Sequence, residues 1–190
     1  MSYYTYVNKS LTRIENIVQK LPENWRNIHG LSFLSDEKLS DMTWAEHPGY
    51  AWVPFETFDF TGYTYESDWF EVSKNSIKEE IRKEKRTKLR NVLTWNEKDF
   101  IPDNDTKIGL SFIVSSSGAD TDTFSWDFIG ETATITKADA QQIVNFINQY
   151  SNDVSAAQEE TERNIDNADT IASLQSVNFV PSWPSTTFSG

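Results

Sequence analysis

A periodic stretch over residues 136–168 constrains this chain more than any other feature. Apolar residues fall at Ile143, Ile147, Tyr150, Val154 and Ala157, and Thr161, Ile165 and Ala168 continue the series. Steps of four and three put them all on one helical face. Gln141, Gln142, Asn148, Gln149, Asn152, Asp153, Gln158, Glu159, Glu160 and Glu162 are expected on the other side. A one-faced helix of this length needs a surface on which to bury its stripe, so the rest of the chain must supply one. Thr136 is the expected N-cap, with Asp139 placing a carboxylate in the first turn. A break or bend is expected at Asn164-Ile165-Asp166-Asn167. A last short helix follows, capped by Asp169 or Thr170, with Ile171, Leu174 and Val177 inward. Ahead of the long helix, residues 124–129 and 132–136 are rich in aromatic and β-branched side chains and flank Gly130-Glu131. That pattern predicts a hairpin.

The 190 residues allow one domain or two small ones and are enough for a real core. A net charge of −12 argues against gripping nucleic acid, which needs a basic face. With no Cys there is no disulfide, thiolate metal site or cysteine nucleophile. The first residues lack a basic and an apolar signal region, so no secretory signal is expected. No apolar run approaches a membrane span. Aromatics make up 14% of the chain, with seven Trp, a surplus that suits interfaces or sugar-binding surfaces as well as a Trp-filled core.

Residues 3–7 read as a strand and 8–10 as a turn. Residues 10–18 read as a short helix capped by Ser10, with Leu11, Ile14, Ile17 and Val18 inward. Ser35-Asp36-Glu37-Lys38 opens a one- or two-turn helix. Residues 51–55 are strand-like, and Pro54 confines them to an edge or a strand end. Residues 58–65 alternate aromatic with polar side chains, and 66–68 turn into Trp69-Phe70-Glu71-Val72, so 50–72 is expected to be an antiparallel meander. Ser76-Ile77-Lys78-Glu79 reads as a capping box opening a helix to about Leu93. Residues 96–99 suggest a hairpin turn after Trp95. Residues 106–115 read equally as a helix capped by Asp103 or Asp105 or as a strand, and 115–122 as loop.

Charge is distributed unevenly. Eight of the seventeen basic residues lie between Lys74 and Arg90, whereas residues 99–190 hold fourteen Asp and Glu against Lys107, Lys137 and Arg163. The simplest reading is a solvated helix face with i,i+4 pairs. The next is a basic ridge docking an acidic surface, either the chain's own C-terminal half or a neighbouring copy.

Catalytic signatures are missing. His29 and Glu46-His47 lack metal-ligand spacing. Asp103-Asn104-Asp105 lacks the glycine and closing glutamate of a calcium loop. Acids are plentiful, so pairs such as Asp120/Asp122 or Asp103/Asp105 do not point to glycoside hydrolysis or calcium, and no nucleophile elbow or phosphate loop is present. Neither cofactor nor metal is expected.

Residues 80–177 nevertheless resemble the C-terminal domain of unknown function found in many bacteriophage tail-fibre-assembly-like and tail-associated proteins. The likeness rests on Ile81-Arg82-Lys83-Glu84-Lys85-Arg86, Trp95, Phe124-Ser125-Trp126, Ala133-Thr134-Ile135-Thr136-Lys137-Ala138-Asp139 and the closing residues 164–174. Leu21-Pro22-Glu23-Asn24-Trp25-Arg26-Asn27-Ile28, residues 34–39 and Trp44 are similar to the lead segment of such proteins. There the second Trp usually follows Gly and leads into an aromatic-Pro strand; here Thr43 precedes Trp44 and residues 45–50 intervene.

The resemblance implies a non-enzymatic phage tail protein, made in the host cytoplasm and carried in the virion, that docks other tail or fibre proteins and further copies of itself. A tail-fibre assembly chaperone absent from the virion is the alternative, and a host-glycan-binding module a third. The expected fold is α+β: a small antiparallel meander plus a helical C-terminal domain with a hairpin and one long amphipathic helix. Its divisions are 1–75, 76–177 and an extended Pro/Ser/Thr tail at 178–190. Candidate partner-binding residues are Phe179, Trp183, Trp44, Trp52, Trp69, Arg82, Arg86 and Arg90, with neither nucleic acid nor membrane as partner.

Overall fold

β1 (Tyr4–Asn8) is the central strand of a three-stranded antiparallel sheet in the order β2-β1-β3, with β2 at Arg13–Val18 and β3 at Tyr50–Pro54. The computed structural model describes residues 4–8, 13–18, 50–56, 58–65 and 67–188. Together they form a mixed α+β fold. The short helix expected near 35–39, Trp25, Trp44 and both histidines lie outside the described residues. The chain divides into two units. The first comprises the described residues of Met1–Ile81 and Thr161–Val180, the second those of Arg82–Glu160 and Pro181–Gly190. The expected divisions fall at residues 75 and 177, whereas these two units interleave along the chain. The physical reason is that two long helices, each continuous across an expected or actual boundary, contribute to both units.

In the first unit, β2 corrects the helix expected over 10–18. Thr5 pairs with Ile17 and Val7 with Ile14, and the register shifts between Tyr6 and Val7. The bulge adds one residue to β2, so Ile17 and Ile14, three apart, pair with Thr5 and Val7, two apart. A three-residue spacing imitates a helical turn. Pro54 ends the edge strand β3, where its missing N–H is tolerated.

The strand expected over 58–65 is a turn-rich coil. Tyr63 donates its N–H to Phe60 O (3.0 Å), the Asp59 carboxylate accepts from Thr61 N (2.9 Å), and Gly62 takes φ +82°. The Thr61 bonds hold the Asp59 carboxyl below the usual carboxylate range. Its alternating aromatics form a cluster instead of a pleat: Phe55 meets Phe60 at 5.8 Å and Phe179 at 6.1 Å, and all three are buried. Gln175 Nε2 ties this coil down by donating to Phe55 O and Phe58 O.

α1 (Ser67–Lys88) starts nine residues before the expected capping box, so Trp69, Phe70, Glu71 and Val72 are helical and there is no 50–72 meander. Phe70, Lys74, Ile77 and Ile81 are its buried stripe in this unit, and Ser76 faces out. Lys74 occupies a position where an amphipathic pattern calls for an apolar residue, which hides the stripe in the sequence.

In the second unit the end of α1 is followed by β4 (Leu93–Trp95) and β5 (Lys98–Phe100), joined by Asn96-Glu97 at φ 47° and 66°. Two left-handed residues make the tight turn that suits strand twist. Next come α2 (Asn104–Ser115), then β6 (Thr123–Phe128) and β7 (Glu131–Thr136) as an antiparallel hairpin turning through Gly130 at φ +85°.

α3 (Lys137–Asp166) opens on a reciprocal cap: Asp139 N donates to Thr136 Oγ1 (3.0 Å) and Thr136 N to Asp139 Oδ2 (2.8 Å). Ile143, Ile147, Tyr150, Val154 and Ala157 are buried in the second unit. Thr161, Ile165 and Ala168 are buried in the first, so the whole expected stripe faces inward. Burial and a bond from its hydroxyl to Lys88 O (3.0 Å) accompany a Tyr150 pKa raised by desolvation. Gln158, expected outside, is buried and accepts from Lys85 Nζ at 2.8 Å, which satisfies its amide oxygen.

The helix is continuous through Asn164 and ends at Asp166, so the expected break is a terminus. α4 (Ile171–Gln175) follows, capped by Thr170 in a capping box with Ser173. Ile171 and Leu174 are buried. The tail then returns as β8 (Thr187–Phe188), parallel to β4, with Phe188 stacked 5.2 Å from Phe146. Among the described residues no helix is long and apolar enough to cross a membrane.

Candidate functional site

Asp103 starts α2 by accepting from Thr106 N at 2.8 Å, which settles the helix-or-strand ambiguity of this segment. Leu110 and Ile113 turn into the core of the second unit. Gly109 lets the helix lie against the Trp126 indole: an added Cβ would come 2.7 Å from that ring. The opposite face is unusual. Ile108 is 68% and Phe112 78% exposed. Four residues apart, they stand on one face, with Asp105 one turn before them. A helix apolar on both sides is normally covered on both sides. Single exposed apolar residues such as Val72 or Ile129 are ordinary; an aromatic–aliphatic pair in line is a patch.

Gly109→Ala tests this docking. Alanine favours a helix interior over glycine by about 1 kcal/mol. Here the new methyl must displace a packed indole, which costs about 1–3 kcal/mol. The expected result is no gain in stability by urea titration, accompanied by a shifted Trp126 indole resonance. A clear gain in stability with an unmoved indole would contradict the contact.

The Thr106 bonds hold the Asp103 carboxyl below the usual carboxylate range. A carboxyl whose pKa falls on folding stabilises the fold above its unfolded pKa, about 3.9, and loses that contribution as pH drops through the folded value. Asp103→Asn should therefore flatten stability against pH in that acidic window and leave the neutral-pH slope unchanged. Thermal melts at stepped acidic pH read this directly.

A second surface lies on the part of α1 in this unit and on the turn that follows it at residues 89–90. Arg82, Arg86 and Arg90 repeat every four residues and are all exposed. Six basic residues between 82 and 90 stand against Glu84 alone. Glu84 itself accepts from the Trp183 indole at 3.0 Å.

The other sequence candidates separate. Phe179 is 4% exposed and stacked on Phe55, so it serves its own core and not a partner. Trp183 is half-buried, packs against the core of the second unit and holds the tail through Glu84, an intramolecular role. Trp69 is half-buried against Tyr65, at 6.1 Å. Trp52 sits in β3, opposite Tyr6 in register, and Trp44 lies outside the described residues. Among the described candidates, the arginines form an exposed row. The sequence reading missed Ile108 and Phe112; their even apolar distribution around α2 was the available signal.

Among the described residues, no three His, Asp or Glu side chains gather to hold a metal. Asp122 accepts from Ala119 N and Asp103 caps α2, so acids flagged in the sequence have structural partners. In the first unit an open depression of about 340 Å³ is lined by uncharged side chains including Asn164, Asn167, Ser173 and Asn178. Ser173 and Asn178 already bond their own loops. Comparison with protein-family models, curated proteins and solved structures finds no match to this chain.

Proposed function

We propose that this protein is a non-enzymatic structural component of a bacteriophage tail and works by docking other proteins. The observation that carries the docking half is the exposed Ile108–Phe112 pair on α2, an apolar patch of two large side chains on one helix face. The exposed arginine row supplies a second contact surface with a defined charge. The tail assignment rests on the sequence resemblance carried by residues 80–177, including the capped start of α3 at Thr136 and Asp139.

Quantitative mass spectrometry of purified particles from the source phage tests the reading. Stoichiometric presence is the expected result. Detection only in infected-cell lysate would reassign the protein to fibre assembly, where it would act as a chaperone and leave before the particle is complete.

A further inference from the structure

We propose that the outer face of α2 receives the arginine row at the end of α1 and in the turn after it from a second copy of this chain, a head-to-tail contact between identical subunits. The receiving face carries Ile108 and Phe112 with Asp105 one turn away, and Asp103 stands exposed just before the helix. The inserting row is Arg82, Arg86 and Arg90. Arg82 and Arg86 on α1 and Ile108 and Phe112 on α2 are each four residues apart, a rise of about 6 Å, so the two ridges can interdigitate, and Arg90 follows in the turn after Lys88.

Charge selects the occupant. Residues 82–90 carry a local net of +5, six basic residues less Glu84, whereas residues 97–105 hold Glu97, Asp99, Asp103 and Asp105 against Lys98. All four of those acids are exposed. The chemistry also matches. Arginine offers a flat cation to stack on an exposed phenylalanine, an aliphatic stem to cover an isoleucine, and a fork for a carboxylate. One copy thus presents both halves of a complementary pair on different elements. Such a contact is heterologous and generates a ring or a filament rather than a closed two-fold dimer. A nucleic acid would suit the arginines alone, but it leaves the apolar face uncovered and meets a chain of net charge −12.

This inference rests on the docking reading but not on where the protein ends up, because self-association and presence in particles are separate measurements. Sedimentation velocity of the full chain over a concentration series at physiological salt should show species beyond the dimer. Arg86→Gln/Arg90→Gln and Ile108→Ser/Phe112→Ser each alter exposed residues, so unfolding midpoints should hold. Each pair should weaken association about tenfold, the scale expected for contact-centre residues. Mixed in equal amounts, the two variants should form a 1:1 dimer and stop, since one keeps the face and the other the row. A wild type that stays monomeric, association indifferent to both pairs, or a mixture that makes no dimer each overturns the proposal. So does a monomeric wild type that binds a labelled oligonucleotide through Arg86 and Arg90, which would reassign the row to nucleic acid.

Discussion

Leu110→Ala is expected to destabilise the second unit by about 2–5 kcal/mol, the range for emptying a fully buried leucine site, while Phe112→Ala changes stability by no more than about 0.5 kcal/mol. The two residues are two apart on α2, and their exposures are 0% and 78%. Leu110 belongs to the core cluster that includes Leu93, Trp95, Phe100, Phe128 and Ile135. Phe100 and Trp95 come from the β4–β5 hairpin and Phe128 and Ile135 from β6–β7, so several elements would have to move to fill the hole. Interiors packed at crystal density relax only partly, and the residual cavity adds to the lost transfer energy. Phe112 leaves water on nearly all sides and loses little when truncated. Denaturant titration, with hydrogen exchange of the α2 amides, separates the two. Equal losses would mean that α2 presents a different face to the core. An unchanged midpoint with weakened self-association is the expected signature of Phe112→Ala.

Burial periodicity explains what could be read in advance. The α3 stripe was legible because eight positions from Ile143 to Ala168 keep helical spacing and every one is buried. Its start was legible because Thr136 and Asp139 have the right chemistry at the right interval. Both hairpins were marked by their turns, although Asn96-Glu97 lacks the glycine that usually announces left-handed residues.

The failures share a different cause: a side chain or backbone feature that masks the period. The bulge in the β1–β2 pair let Ile14 and Ile17 imitate a helix. Lys74 interrupted the stripe of α1, so Trp69, Phe70 and Val72 looked like a strand by composition and Ser76 looked like a helix start. Alternation over 58–65 was real, but its aromatics satisfy one another in a turn. The site was half legible. The concentration of basic residues between Lys74 and Arg90 marked the arginine row. α2, apolar on both sides, gave no hint of which side was outer, because that depends on where the Trp126 hairpin lands on Gly109.

Lys74→Met is expected to cost about 2–6 kcal/mol, from leaving two backbone carbonyls without donors at about 1–3 kcal/mol each. Lys74 is 5% exposed, and its ammonium donates at 3.1 Å to Asp166 O, Ala168 O and Glu71 Oε1. The last carbonyls of a helix have no donor within it, and they form the negative end of its dipole. Lys74 therefore supplies what the end of α3 lacks, across more than ninety residues of chain. That explains a lysine at a core position: its ammonium lies 5.3 Å from the Phe70 ring centroid and bonds backbone oxygens.

Methionine keeps most of the stem and removes only the donors. The Glu71 bond matters little, since that carboxylate side chain is 62% exposed. Lys78→Met is the control. Its ion pair with Asp166 is short, 2.6 Å, yet the Asp166 side chain is 54% exposed. Water replaces such a partner, and the loss should stay below about 1 kcal/mol. Lysine at 74 should thus matter several times more than lysine at 78, although 78 makes the shorter bond. Denaturant midpoints of the two variants decide it. Equal losses would mean that the carbonyls of Asp166 and Ala168 find water when the ammonium is gone, and that the end of α3 is held by the burial of Ile165 and Ala168 alone.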